Sequence, residues 1–133
     1  MPTGSNVVDS SAWLEYLSDG PNASEFARVI EDVGRLMVPA LVITEVARRL
    51  DSQGRRRIIP RVVGHMRQGH IVPLDEHLAL HAATVGRLHR LALADSIVYA
   101  TALVSSAVVW TQDRDFKDLP HVEYRPHQRQ RDV

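Results

Sequence analysis

The chain has 133 residues, the size of one ordinary domain, and 44% of them are hydrophobic, too many for a disordered polymer. Sixteen basic residues balance sixteen acidic ones, so no net field draws the protein to nucleic acid or to a membrane. The absence of cysteine excludes disulfides, thiolate nucleophiles and cysteine-based zinc sites. The balance is uneven in kind and place. Fifteen of the bases are Arg, Lys117 is the exception, and seven of the Arg fall between Arg48 and Arg67. The opening MPTGSN carries no apolar segment, and no apolar run reaches bilayer-spanning length, so a cytoplasmic protein without membrane contact is expected.

Asn6 to Val8 read as a very short buried strand. Trp13, Leu14 and Leu17 then follow at helical spacing over Ser11 to Leu17, and SDGPN ends that helix. Ala23 to Val33 carry an apolar stripe of Phe26, Val29, Ile30 and Val33, stopped by Gly34. RLMV is a second strand. Pro39 suits the first turn of a helix over Ala40 to Asp51 with Leu41, Val42, Val46 and Leu50 inward. After SQG comes a basic helix from Arg55 to Arg67, and HIVPL is a third strand. Asp75 caps a helix to Arg90 with Leu78, Leu80 and Val85 as its apolar positions. ALADSIVYATALVSS is apolar nearly all round, as a central buried helix is. AVVW is a fourth strand and VEYR a weaker fifth.

Short strands alternate with helices and no hairpin signal separates them. The expected fold is α/β, a three-layer α/β/α sandwich on a short-stranded, mainly parallel central sheet. One domain is expected over 1–133, with its core at 6–125 and a loose polar tail at 126–133.

In open parallel sheets ligands bind outside the carboxyl ends of the strands. Asp9 follows the first strand, Glu45 lies one and a half turns into the helix after the second, and Asp95 opens the buried helix. Asp113 follows the fourth strand, with Asp115 two residues on. Each has an ordinary structural role open to it. Asp9 can cap the first helix, Glu45 can pair with Arg48 or Arg49, Asp95 can complement a helix dipole, and Asp113 can make a turn. Taken together they read differently. Carboxylates converging on one sheet edge repel, and their pKa values rise unless a cation neutralises them. Hard oxygen donors suit Mg²⁺, or Mn²⁺ in its place.

The segments VVDSSAWLEYL, PALVITEVARRL, LALADSIVYATAL and VVWTQDRDF, in that order from Val7 to Tyr124, resemble the PIN-domain family and, within it, VapC-type toxins of bacterial toxin–antitoxin pairs. The resemblance implies a metal-dependent endoribonuclease with the catalytic acids Asp9, Glu45, Asp95 and Asp113. Asp9, Asp95 and Asp113 are then the expected metal ligands, with Thr111, Ser11 and Asp115 in support. It further implies an RNA substrate, a cognate antitoxin and a homodimer. The alternative is a PIN-like RNA- or protein-binding module of weak or no activity. Ser10 and Ser11 after Asp9 do not fit a phosphoacceptor receiver or a phosphatase with a D-x-D element. Arg55, Arg56 and Arg57 are candidates for the RNA backbone; a solvated charged face explains them equally well. His77 and His81 lack the Glu of an H-E-x-x-H site and read as surface residues.

Overall fold

The computed structural model describes residues 4–129. Five short strands form one sheet: β1 (Ser5–Val8), β2 (Leu36–Pro39), β3 (His70–Val72), β4 (Ala107–Thr111) and β5 (Val122–Tyr124). Their order is β3-β2-β1-β4-β5, and every neighbouring pair is parallel. Parallel neighbours need crossover connections; the 3-10 turn Arg114–Phe116 lies in the one from β4 to β5, and the other three are supplied by α-helices. These are α1 (Ser10–Leu17), α2 (Ala23–Ile30), α3 (Ala40–Ser52), α4 (Ile59–Gln68), α5 (Glu76–His89) and α6 (Leu93–Val104). The result is the three-layer α/β/α sandwich.

Burial is deepest in the central strands, while β3 and β5 at the edges of the sheet are partly exposed. In β2 all four residues are buried, as are Val7 and Val8 in β1 and Val109 in β4. The strand order reverses direction between β1 and β4. Successive crossovers leave β1 for β2 and β3, and the next returns to β4 on the other side of β1. That reversal makes the carboxyl ends of β1 and β4 the crevice of the sheet. α6 is buried continuously from Ser96 to Ala102, which is why it is apolar all round.

Several elements differ from the sequence expectation. α2 ends at Ile30 rather than Val33, and Val33–Arg35 form a separate 3-10 turn into β2. The basic helix begins at Ile59, after a 3-10 turn at Arg56–Ile58. Arg55 is drawn away from it, because its guanidinium donates to the Leu17 carbonyl (2.8 Å) and to Ser18 Oγ (3.1 Å) at the end of α1. Leu80 is 65% exposed. The inward face of α5 is Leu78, Ala82 and Val85, spaced by four and three residues, and Leu80 lies off that stripe. Of the expected tail, 130–133 lie outside the described residues. Its first part is not loose: the Pro126 carbonyl accepts from Asn22 Nδ2 (2.9 Å), and Gln128 Nε2 donates to Asn22 Oδ1 (3.3 Å). Among the described residues no helix is long and apolar enough to cross a membrane.

α5 and α6 are tightly apposed at Gly86, where a Cβ would stand 2.3 Å from Ser96 Oγ and 3.0 Å from Ser96 Cβ. The Ser96 hydroxyl is itself held by the Ala92 carbonyl at 2.8 Å, so it has little room to give. Gly86→Ala is expected to lower stability by about 1–3 kcal/mol, the usual range for an overpacked contact. Urea unfolding checks this, and a stability equal to wild type shows that the two helices can part without cost.

Candidate functional site

The parallel register sets Val8 against Trp110, and the ladder continues one step as the Asp9 N–H donates to the Trp110 carbonyl (3.2 Å). Asp9 therefore leaves β1 level with Thr111, the last residue of β4. It is also the N-cap of α1. Its Oδ1 accepts from the Ala12 N–H at 3.0 Å and from Ser11 Oγ at 2.7 Å. Its Oδ2 accepts from Thr111 Oγ1 at 2.5 Å. The same Thr111 oxygen accepts the Asp113 N–H at 2.8 Å, and Ser11 Oγ accepts the Gln112 N–H at 3.0 Å. Two hydroxyls thus tie the β1–α1 junction to the chain leaving β4. Asp113 in turn caps a 3-10 turn at Arg114–Phe116, its Oδ1 accepting from the Asp115 N–H at 2.9 Å.

The other acids arrive on helices. Asp95 lies in the first turn of α6, and Glu45 lies in α3, partly buried. Carboxylate oxygens of Asp95, Asp113 and Asp115 lie within 4.8 Å of one another. Asp9 stands outside that trio, with both oxygens engaged by protein donors. Of the sequence candidates, the structure brings Asp9, Ser11, Thr111 and Asp113 into direct contact and places Asp95 and Asp115 with Asp113. It does not bring Arg55 to this edge. Asp115 proves an equal member of the trio; the D-x-D spacing after β4 was its only signal. Asn22, which sequence reasoning missed, is buried and donates through Nδ2 to Gln112 Oε1 at 2.6 Å.

Crowding leaves an electrostatic mark. Burial pushes Asp9 up to about 6 despite the hydrogen bonds from Thr111, Ser11 and Ala12 that favour its charged form. Asp95 is pushed up to about 7, first by burial and then by Asp113, Asp9, Asp115 and Glu45 in turn. Glu45 is raised by burial and by Asp113, partly offset by Ser10. Acids that resist ionisation together, with several oxygens free to converge, form a donor set suited to a hard divalent cation.

The PIN domain family model matches residues 7–122. The chain belongs to the PIN-domain family. No curated protein matches this PIN domain in sequence. Among solved structures it is similar to a toxin–antitoxin complex from Klebsiella pneumoniae, with TM-score 0.73 and 19% identity over 90% of this chain and 96% of the other. It is similar also to VapC20 of Mycobacterium tuberculosis, described as a toxin cleaving the sarcin–ricin loop, with TM-score 0.72 and 18% identity over 92% and 100% of the two chains. A DNA-bound VapBC from Salmonella typhimurium gives TM-score 0.69 and 15% identity over 93% and 98%. At these identities the likeness is one of fold.

The raised carboxyls make stability depend on pH in a defined direction. A carboxyl whose folded pKa is raised contributes stability that is complete below its unfolded pKa and is lost as pH rises through the folded value. For Asp9 and Asp95 that window runs from 3.8 to about 6 and about 7. With chelator present, the unfolding temperature is expected to fall as pH rises across this window. Mg²⁺ or Mn²⁺ should restore it more at about pH 7.5 than at about pH 5, because the cation binds the deprotonated cluster. Thermal scans check this, and equal cation shifts at both pH values dissociate the acids from metal binding.

Proposed function

We propose that the protein is a divalent-metal-dependent endoribonuclease acting as the toxin of a toxin–antitoxin pair. The observation that carries this reading is the convergence of Asp95, Asp113 and Asp115 within 4.8 Å at the carboxyl edge of a PIN fold, with Asp9 and Glu45 acting on Asp95 electrostatically. The toxin role is supported by the likeness to structures described as toxins and toxin–antitoxin complexes. Location in the cytoplasm follows from such a role.

Asp95, Asp113 and Asp115 would hold Mg²⁺, or Mn²⁺ as its substitute, and Asp9 completes the acidic wall from β1. Bound there, such an ion lowers the pKa of a water and stabilises charge on a phosphoryl oxygen. The chain's own groups do the positioning. Thr111 and Ser11 hold the Asp9 carboxylate in one orientation, and Thr111 also fixes the backbone at Asp113. Ser10 favours the charged form of Glu45. Attack by water on an RNA phosphodiester leaves a 3′-hydroxyl and a 5′-phosphate.

Protein partners are part of the same reading: a cognate antitoxin and a second copy of the chain. Leu80 and Leu88 are 65% and 62% exposed and stand two turns apart on one face of α5. Apolar side chains left open in this way mark association surfaces more often than isolated ones do.

Purified protein is expected to cut total RNA into discrete fragments with Mg²⁺ or Mn²⁺ and to stop with chelator. Asp9→Asn and Asp95→Asn should each lose nearly all cutting, on the order of 10²-fold or more, with unchanged circular dichroism. Cutting at the wild-type rate by Asp9→Asn would return Asp9 to the role of a helix cap. No cutting by folded, antitoxin-free wild type on any RNA fraction favours an inactive binding module. Light scattering should report a dimer that the Leu80→Glu/Leu88→Glu pair converts to monomer, and a monomeric wild type removes the homodimer.

A further inference from the structure

Two basic grooves leave the acidic cluster on opposite sides. The first, about 480 Å³, runs along α3 beside the start of α6 and is lined by Thr44, Glu45, Arg48, Arg49 and Ala94. The second, about 540 Å³, lies at the ends of β4 and β5 and is lined by Gln112, Arg114, Lys117, Tyr124 and His127. Each borders the acids in sequence as well as in space. Glu45 is a wall of the first groove and Ala94 precedes Asp95, while Gln112 and Arg114 bracket Asp113.

The bases in these grooves are uncommitted. Arg48 and Arg49 stand three and four residues after Glu45, the spacing at which a helix forms ion pairs. Neither makes one: among the described residues the ion pairs are those of Arg125 with Glu25 and Glu123. Arg114 sits between Asp113 and Asp115 and is likewise unpaired. All four bases are exposed. Cations that leave adjacent carboxylates unneutralised are available to an external anion. Guanidinium forks fit phosphate oxygens in pairs. The second groove adds an aromatic wall, Tyr124, of the kind on which an unpaired base stacks.

We propose that a single RNA strand crosses the carboxyl edge of the sheet from one groove to the other, its phosphates on Arg48 and Arg49 at one end and on Arg114 and Lys117 at the other. The phosphodiester between them then lies over Asp95, Asp113 and Asp115. This rests on the nuclease reading and adds the residues that position its substrate. A duplex is disfavoured because its stacked bases cannot reach Tyr124.

The test compares wild type with Arg48→Ala/Arg49→Ala, with Arg114→Ala/Lys117→Ala, and with the charge-matched control Arg61→Ala/Arg67→Ala, whose bases line neither groove. Binding of an unstructured oligoribonucleotide is measured against salt with Ca²⁺ in place of the catalytic ion. Losing two phosphate contacts from a single strand should reduce the logarithmic salt slope by about 1.4 for each groove variant, while the control keeps the wild-type slope. On an RNA that wild type cuts, each groove variant should raise KM about tenfold with kcat within about threefold. Groove variants with wild-type slope and KM, beside an active wild type, overturn the strand path and leave the nuclease reading standing; an acidic protein segment then becomes the candidate occupant. A wild type that neither cuts nor binds RNA removes both readings. Equal affinity for a duplex of the same sequence overturns the single-strand assignment.

Discussion

The carboxyl edge depends on the register of β1 against β4. With Val8 opposite Trp110, Asp9 emerges beside Thr111, and one hydroxyl then serves two partners, donating to Asp9 and accepting from the Asp113 backbone. Ser11 does the same between Asp9 and Gln112. A slip of one residue would turn Thr111 to the other face of the sheet and separate these groups. The alternation of β4 opposes it, because the same slip would exchange the buried Ala107, Val109 and Thr111 with the partly buried Val108 and Trp110.

Holding acids at that edge is costly to the fold, and the cost is visible in Asp95. Its place in the first turn of α6 brings a favourable dipole of roughly 0.3–1 kcal/mol. Burial and four neighbouring carboxylates outweigh that, and its pKa rises to about 7 rather than falling. Asp9 shows the same imbalance from a different start. Three hydrogen bonds favour its charged form, yet burial still dominates. A fold optimised only for stability would neutralise Glu45 with the Arg residues one turn away. Local rules broken without local compensation are what functional sites look like.

The layers of this protein were legible because they rest on short-range patterning. Apolar runs of four residues, separated by helical stripes, announce a parallel sheet wherever they occur. The acids at strand ends were equally visible, since strand ends are where such sheets bind. What escaped depends on contacts far apart in sequence. Arg55 reads as one of a basic triplet, but the open carbonyl of Leu17 claims it. Asn22 looks like turn punctuation in SDGPN, and only the folded chain sets it against Gln112 and Pro126. Leu80 was misjudged for a nearer reason: a leucine off the stripe of Leu78, Ala82 and Val85 was counted with it.

A net charge of zero carries less information here than it first suggests. Charges in solution act over roughly 8 Å at physiological salt. β2 and β5 stand three strand spacings apart, ~14 Å, so the groove that follows β2 and the groove at β5 respond to their own surroundings and not to the sum over the chain. A polyanion approaching the edge meets repulsion from the acids and attraction from uncommitted Arg and Lys on either side. A divalent cation at the centre would remove the repulsion and leave the attraction. On the proposed strand path the acids and the flanking bases would then work in sequence, the edge accepting a phosphate chain once a metal is bound.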